Sequence, residues 1–130
     1  MPASGDVLLD TSVVIPFFKG DQAIGTQLTG QTIYLPQTVL GELYCGSFLS
    51  ANQIKTRGEI QNFLTAVTVL SPGLATAEHY GIIRAALAKA GTPIPENDIW
   101  IAALAIEHQL PLAARDAHFE RIAGLKVLKW

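Results

Sequence analysis

The chain has a single cysteine, Cys45, so no internal disulfide can brace the fold, and a reducing cytoplasm is the compartment this usage fits. Nothing in the sequence marks a base for that thiol, and Cys45 is expected to be a small core filler. Charge is also scarce. Only 15% of residues are Asp, Glu, Lys or Arg, and nine cations against eleven anions leave a formal net charge of −2. No basic tail exists to bind nucleic acid on charge alone, so any phosphate backbone has to be met by local cations, for which Lys19, Arg84, Lys89 and Arg115 are available. Long apolar runs are absent. The longest, Ile99 to Ile106, has eight residues where a membrane-spanning helix needs about 20, so no membrane span is expected. Met1 to Asp6 carry no basic segment, which argues against a secretory signal. Neither an internal repeat nor a low-complexity tract or linker interrupts the chain.

What is present is apolar matter in quantity. Hydrophobic residues make up 49% of 130 positions, enough for one core, and residues 1–130 are expected to form one domain. Val7-Leu8-Leu9 reads as a strand ending at Asp10, with Thr11 and Ser12 suited to start a helix over Val13 to Phe18 and Pro16 near its first turn. Thr32 to Leu35 is a second strand closed by Pro36, and Gln37 to Ser50 a helix. Residues 53 to 66 follow as a helix and Val67 to Leu70 as a strand. Ala75 to Lys89 is a helix stopped by Gly91, and Asn97 or Asp98 is expected to cap a buried helix from Ile99 to His108. Leu112 to Ala114, Asp116 to Ala123 and Lys126 to Lys129 close the chain as strand, helix and strand. Strands alternating with helices predict an α/β fold, a three-layer α/β/α sandwich on a mostly parallel, Rossmann-like sheet. In such sheets ligands sit at the carboxyl ends of the strands, where the strand order reverses, and both Asp10 and Asp116 stand at such ends.

Four acids carry the functional reading. Asp10 and Asp116 each follow a strand and precede a helix, where capping is the competing role for an aspartate. Glu42 lies in an otherwise apolar stretch, Val39-Leu40-Gly41-Glu42-Leu43-Tyr44, and Asp98 opens the most buried helix at the positive end of its dipole. Carboxylates gathered in one crevice repel each other and take up protons unless a cation neutralises them, so the cluster implies a metal. Hard divalent ions take oxygen ligands, and four acids suit one or two of them in phosphodiester hydrolysis. His118, near Asp116, could be read as a general base, but a metal can generate hydroxide without one, so a surface or packing role is expected; His79 and His108 are expected to be structural, since neither has a partner at metal-ligand spacing. Trp100 and Phe119 are expected in the core. Arg115 is the cation expected to approach a phosphate, with an ion pair to a nearby acid as its alternative role.

The pieces Leu8-Leu9-Asp10-Thr11-Ser12, Glu42-Leu43, Asn97-Asp98-Ile99-Trp100-Ile101-Ala102-Ala103 and Arg115-Asp116-Ala117-His118-Phe119 fall in an order and spacing that resembles the PIN-domain nucleases, and most of all the VapC-like toxins of bacterial toxin-antitoxin pairs. The resemblance spans residues 7 to 128. It implies a Mg²⁺-dependent endoribonuclease, with Mn²⁺ as substitute, that forms a homodimer and is inhibited by a small cognate antitoxin. Carried over by position, Asp10, Glu42, Asp98 and Asp116 match the acidic metal-site residues, and Ser12 matches a polar position that supports the site through its hydroxyl. The family commonly has Thr or Ser two residues before the fourth acid, where this chain has Ala114, so that acid lacks the hydroxyl expected to orient it.

Rival assignments fail on position. A haloacid-dehalogenase-like phosphotransferase needs a second aspartate two residues after Asp10, where Ser12 stands, and a receiver domain needs its acceptor after the third strand, which ends in Leu70-Ser71-Pro72. A PIN-fold module that binds RNA or protein without activity, or a housekeeping nuclease with no antitoxin, remains the alternative.

Overall fold

The computed structural model describes residues 5–130; the first four residues, on which part of the N-terminal reading rests, lie outside the described residues. Five strands form one sheet in the order β3-β2-β1-β4-β5: β1 (Asp6–Leu9), β2 (Thr32–Pro36), β3 (Thr68–Leu70), β4 (Leu112–Ala113) and β5 (Val127–Leu128). All four pairings are parallel, with Leu8 opposite both Tyr34 of β2 and Leu112 of β4. β1 is central because Val7, Leu8 and Leu9 have no polar side to show to water. All three are fully buried, as a strand covered on both faces must be.

The chain first moves from β1 towards β3 through α1 (Thr11–Phe18), α2 (Gln22–Leu28), α3 (Gln37–Phe48) and α4 (Gln53–Leu64). It then crosses back through α5 (Leu74–Ala90) and α6 (Glu96–Glu107) to β4, and a 3₁₀ helix (Ala117–Arg121) leads to β5. Parallel crossovers are right-handed, so reversing direction along the sheet puts the two sets of helices on opposite faces. The expected three-layer sandwich results. The reversal falls between β1 and β4, the neighbours whose carboxyl ends carry Asp10 and Asp116.

Several local expectations are corrected. Asp10, not Thr11 or Ser12, caps α1, and the helix begins at Thr11, which puts Pro16 in its second turn. The sequence reading missed α2. Gly20, in the left-handed region at φ 91°, ends α1, and Asp21 immediately caps α2 by accepting from Ile24 N–H. Neither Asn97 nor Asp98 caps α6. Pro95 holds that place and Asp98 is the third helical residue, still in the first turn. α5 does stop at Gly91, whose φ of 70° suits the position after a helix end. Cys45 is exposed on α3 and fills no core. Among the described residues, no helix is long and apolar enough to cross a membrane.

Candidate metal centre

Asp10 leaves the sheet where β1 ends. Its backbone N–H donates to the Ala113 carbonyl at 3.0 Å, which ties the ends of β1 and β4 together, and its side chain is only 4% exposed. Asp10 Oδ2 accepts from Ser12 N–H at 3.1 Å and from Ser12 Oγ at 2.6 Å. The same hydroxyl accepts from Arg115 N–H at 2.9 Å. Ser12 thus does more than its sequence position suggests. It orients Asp10 and anchors the segment that carries Asp116, so one side chain fixes both strand ends.

Asp10, Glu42, Asp98 and Asp116 line one open crevice of about 680 Å³, with Ser12 at its base and Ile15 and Pro16 on one wall. Glu42 reaches it from the second turn of α3 and Asp98 from the first turn of α6. The carboxyls feel one another. Loss of hydration in the crevice, then the charges of Asp10 and Asp98, push the Glu42 carboxyl above its ordinary range, although Glu42 stands at the accessible lip. Asp98 is raised as well, chiefly by burial and further by Asp10 and Asp116; a hydrogen bond from His118 works against this. Glu96 also borders the crevice, but Arg84 donates to its carboxylate at 3.0 Å and the Tyr80 hydroxyl donates to it too.

His118 is the residue that sequence reasoning placed wrongly. Its Nδ1 lies 3.1 Å from Asp98 Oδ2 and 3.0 Å from Asp116 Oδ1, so it belongs to the acidic cluster. The signal was its place two residues after Asp116, which a 3₁₀ turn folds back over the carboxylate. Asp116 caps that turn, accepting from His118 N–H at 3.0 Å, and is held in place despite the missing hydroxyl at Ala114. Arg115 takes its alternative role: its guanidinium donates to Asp21 at 3.0 Å and to the Trp130 carbonyl, away from the crevice lining. Instead, Lys19 and Lys55 line a second groove of about 600 Å³ that adjoins the crevice at Ile15 and Glu42. Phe119 is in the core as expected, while Trp100 is half-buried and stacked on Tyr80.

The donor set fits a divalent ion. Its oxygens are hard, and Asp98, Asp116 and His118 present ligand atoms within 4.8 Å of one another. Ser12→Ala should lower metal affinity or any activity by about 10- to 100-fold, because Asp10 loses its orienting donor and Arg115 N–H its acceptor. Isothermal titration with Mn²⁺ checks this; wild-type affinity in the variant would remove Ser12 from the site.

Comparison with known proteins places the chain in a family. The PIN domain family profile matches residues 7–125. The chain is 34% identical over 128 residues to ribonuclease VapC2 of Haemophilus influenzae, covering 95% of this chain and 96% of that one. It is 30% identical over 127 residues to a tRNA(fMet)-specific endonuclease VapC of Shigella flexneri, with the same coverage. Among solved structures it is similar to DNA-bound VapBC from Salmonella typhimurium, with a TM-score of 0.87 and 28% identity over 96% of this chain and 98% of that chain.

Proposed function

The chain belongs to the PIN-domain family, in its VapC group, and from that premise we propose that it is a metal-dependent endoribonuclease, the toxin of a toxin-antitoxin pair. The observation that carries this reading is the convergence of Asp10, Glu42, Asp98 and Asp116 on one crevice at the switch point of the sheet. These four would hold Mg²⁺, with Mn²⁺ as substitute. Such ions activate water, screen the scissile phosphate and stabilise the leaving oxygen.

The chain's own residues do the rest. Asp10 is fixed by its cap and by Ser12, so its carboxylate is pre-oriented and no rearrangement is needed when substrate arrives. Asp98 sits at the positive end of α6, which favours its ionised form against the burial that opposes it. Ile15 and Pro16 form an apolar wall beside the acids, and Lys19 and Lys55 in the adjoining groove are placed to meet backbone phosphates on one side of the cut. They replace Arg115 as the substrate-binding cations.

A small antitoxin as partner draws support from the likeness to VapBC structures, and a homodimer from family resemblance. The Shigella flexneri relative's name makes transfer RNA the first substrate to try. The purified chain should cut single-stranded or looped RNA with Mg²⁺ or Mn²⁺ and stop in EDTA, and its expression alone should arrest growth, relieved by the antitoxin encoded beside it. Cleavage that survives EDTA sinks the metal reading. Strong expression without a growth effect sinks the toxin reading and leaves a housekeeping nuclease.

The non-catalytic alternative rested on the missing hydroxyl at Ala114. Ser12 and His118 supply what that hydroxyl was expected to give, and no observation favours the inert module.

A further inference from the structure

Resting on the metal-dependent reading above, the geometry points to one more ligand: His118 binds the ion held by Asp98 and Asp116 through its Nδ1, and this nitrogen tilts the centre towards Mn²⁺ over Mg²⁺. The atoms concerned are already in position. Nδ1 stands 3.1 Å from Asp98 Oδ2 and 3.0 Å from Asp116 Oδ1, and all three lie within 4.8 Å of one another. Adjacent ligands of an octahedral ion with bonds of about 2.1 Å are about 3 Å apart, and opposite ones about 4.2 Å. The two Nδ1–oxygen separations are those of adjacent corners of such an octahedron.

The ring is also held there. His118 is the second residue of a 3₁₀ helix; its own N–H is capped by Asp116 and the next residue, Phe119, is fully buried, so the backbone that carries the ring is fixed. Asp98 arrives from a different element, the first turn of α6, which packs against this helix. The ring therefore bridges its near neighbour Asp116 and Asp98, which lies 20 positions away in sequence. A ring that only shielded repulsion would serve equally well from a solvent-facing rotamer beside one of them.

A neutral imidazole ligating through Nδ1 keeps its proton on Nε2. Carboxylates and waters suit Mg²⁺, whereas imidazole suits transition ions, and Mn²⁺ is the transition ion that also accepts an oxygen-rich octahedron. Replacing one oxygen of the set by His118 thus costs Mg²⁺ more than Mn²⁺.

The test is pulsed electron paramagnetic resonance on the full chain with Mn²⁺ alone, read for imidazole ¹⁴N modulation. The wild type should show it, His79→Ala and His108→Ala should keep it, and His118→Gln should lose it while binding Mn²⁺ about tenfold more weakly. Affinity for Mg²⁺, measured by displacement of Mn²⁺, should fall less. Mn²⁺ still bound by His118→Gln shows that this variant is folded, so loss of the coupling there assigns the nitrogen to His118. If Mn²⁺ binds the wild type and is lost in Asp98→Asn but shows no imidazole coupling, or if the coupling persists in His118→Gln, the nitrogen ligand is wrong and the carboxylate site stands. If Mn²⁺ does not bind the wild type, this inference and the metal-dependent reading both fall.

Discussion

Asp98→Asn should reduce RNA cleavage on the order of a thousandfold, the scale seen when one fixed electrostatic partner of a reacting phosphate or carbonyl is removed, while leaving the metal-free protein at least as stable as the wild type. The second half separates a functional carboxylate from a structural one. Asp98 is held above its ordinary range, chiefly by burial and then by the charges of Asp10 and Asp116. An acid whose folded value is raised adds stability through its bound proton. That contribution is complete below the unfolded carboxylate range and is lost as pH rises through the folded value. At neutral pH without metal, the ionised Asp98 therefore works against the fold, and an amide of the same shape removes the repulsion. Calorimetry in EDTA should show the variant melting at or above the wild type at pH 7, and the gap should close as the pH falls through the carboxylate range. With Mg²⁺ the order reverses, because the wild type gains ligand-linked stability that the variant lacks. A variant that melts lower in EDTA and cleaves at the wild-type rate would make Asp98 a structural residue. Asp10→Asn should lose cleavage similarly and keep the cap on α1, since Asn caps about as well as Asp. Asp10→Ala should cost about a further 1 kcal/mol from the lost cap.

Much of this centre was legible because the features that build it are local. Val7-Leu8-Leu9 is too uniformly apolar for anything but an interior strand, and an aspartate at its end must surface at the rim of the sheet. The same holds for Leu112-Ala113 and Asp116. Alternating strands and helices gave the layers without any knowledge of contacts. The misreadings have a different origin. α2 is a seven-residue helix with one polar cap and two buried side chains, Ile24 and Leu28, which leaves almost no periodic signal. The cap of α6 passed to Pro95 because a fixed φ starts a helix without a side-chain acceptor, freeing Asp98 for the crevice. Arg115 sits beside Asp116 in sequence, yet an extended backbone turns consecutive side chains to opposite sides, and its partner Asp21 is 94 positions away. His118 was misjudged for the mirror-image reason: it was weighed only as a base beside Asp116, while its other partner, Asp98, comes from another element that the local sequence does not show.

Phe119→Ala should destabilise the protein by about 3–5 kcal/mol, a large share of the roughly 5–15 kcal/mol that holds a domain folded, and lower its melting point by about 10 °C or more. Phe119 is fully buried and the largest of the side chains that are. It also belongs to a five-residue 3₁₀ helix, a structure too short and too poorly hydrogen-bonded to persist on its own propensity. That helix is held by its Asp116 cap, by Phe119 and by the buried Ile122 that follows it, and of these side chains Phe119 is the larger and the more completely buried. The site consequence follows from position: Asp116 and His118 are within three residues of the ring, so loosening the anchor loosens two of the three atoms grouped around the candidate ion. Phe119→Ala should therefore weaken Mn²⁺ binding even at temperatures where the variant is fully folded, whereas Phe119→Leu, which refills most of the volume, should recover most of both losses. Chemical denaturation and metal titration at the same temperature distinguish the two effects. If Phe119→Ala unfolds within about 1 kcal/mol of the wild type, or unfolds early but binds Mn²⁺ unchanged while folded, then the 3₁₀ helix is held by its polar cap and the core does not reach the metal centre.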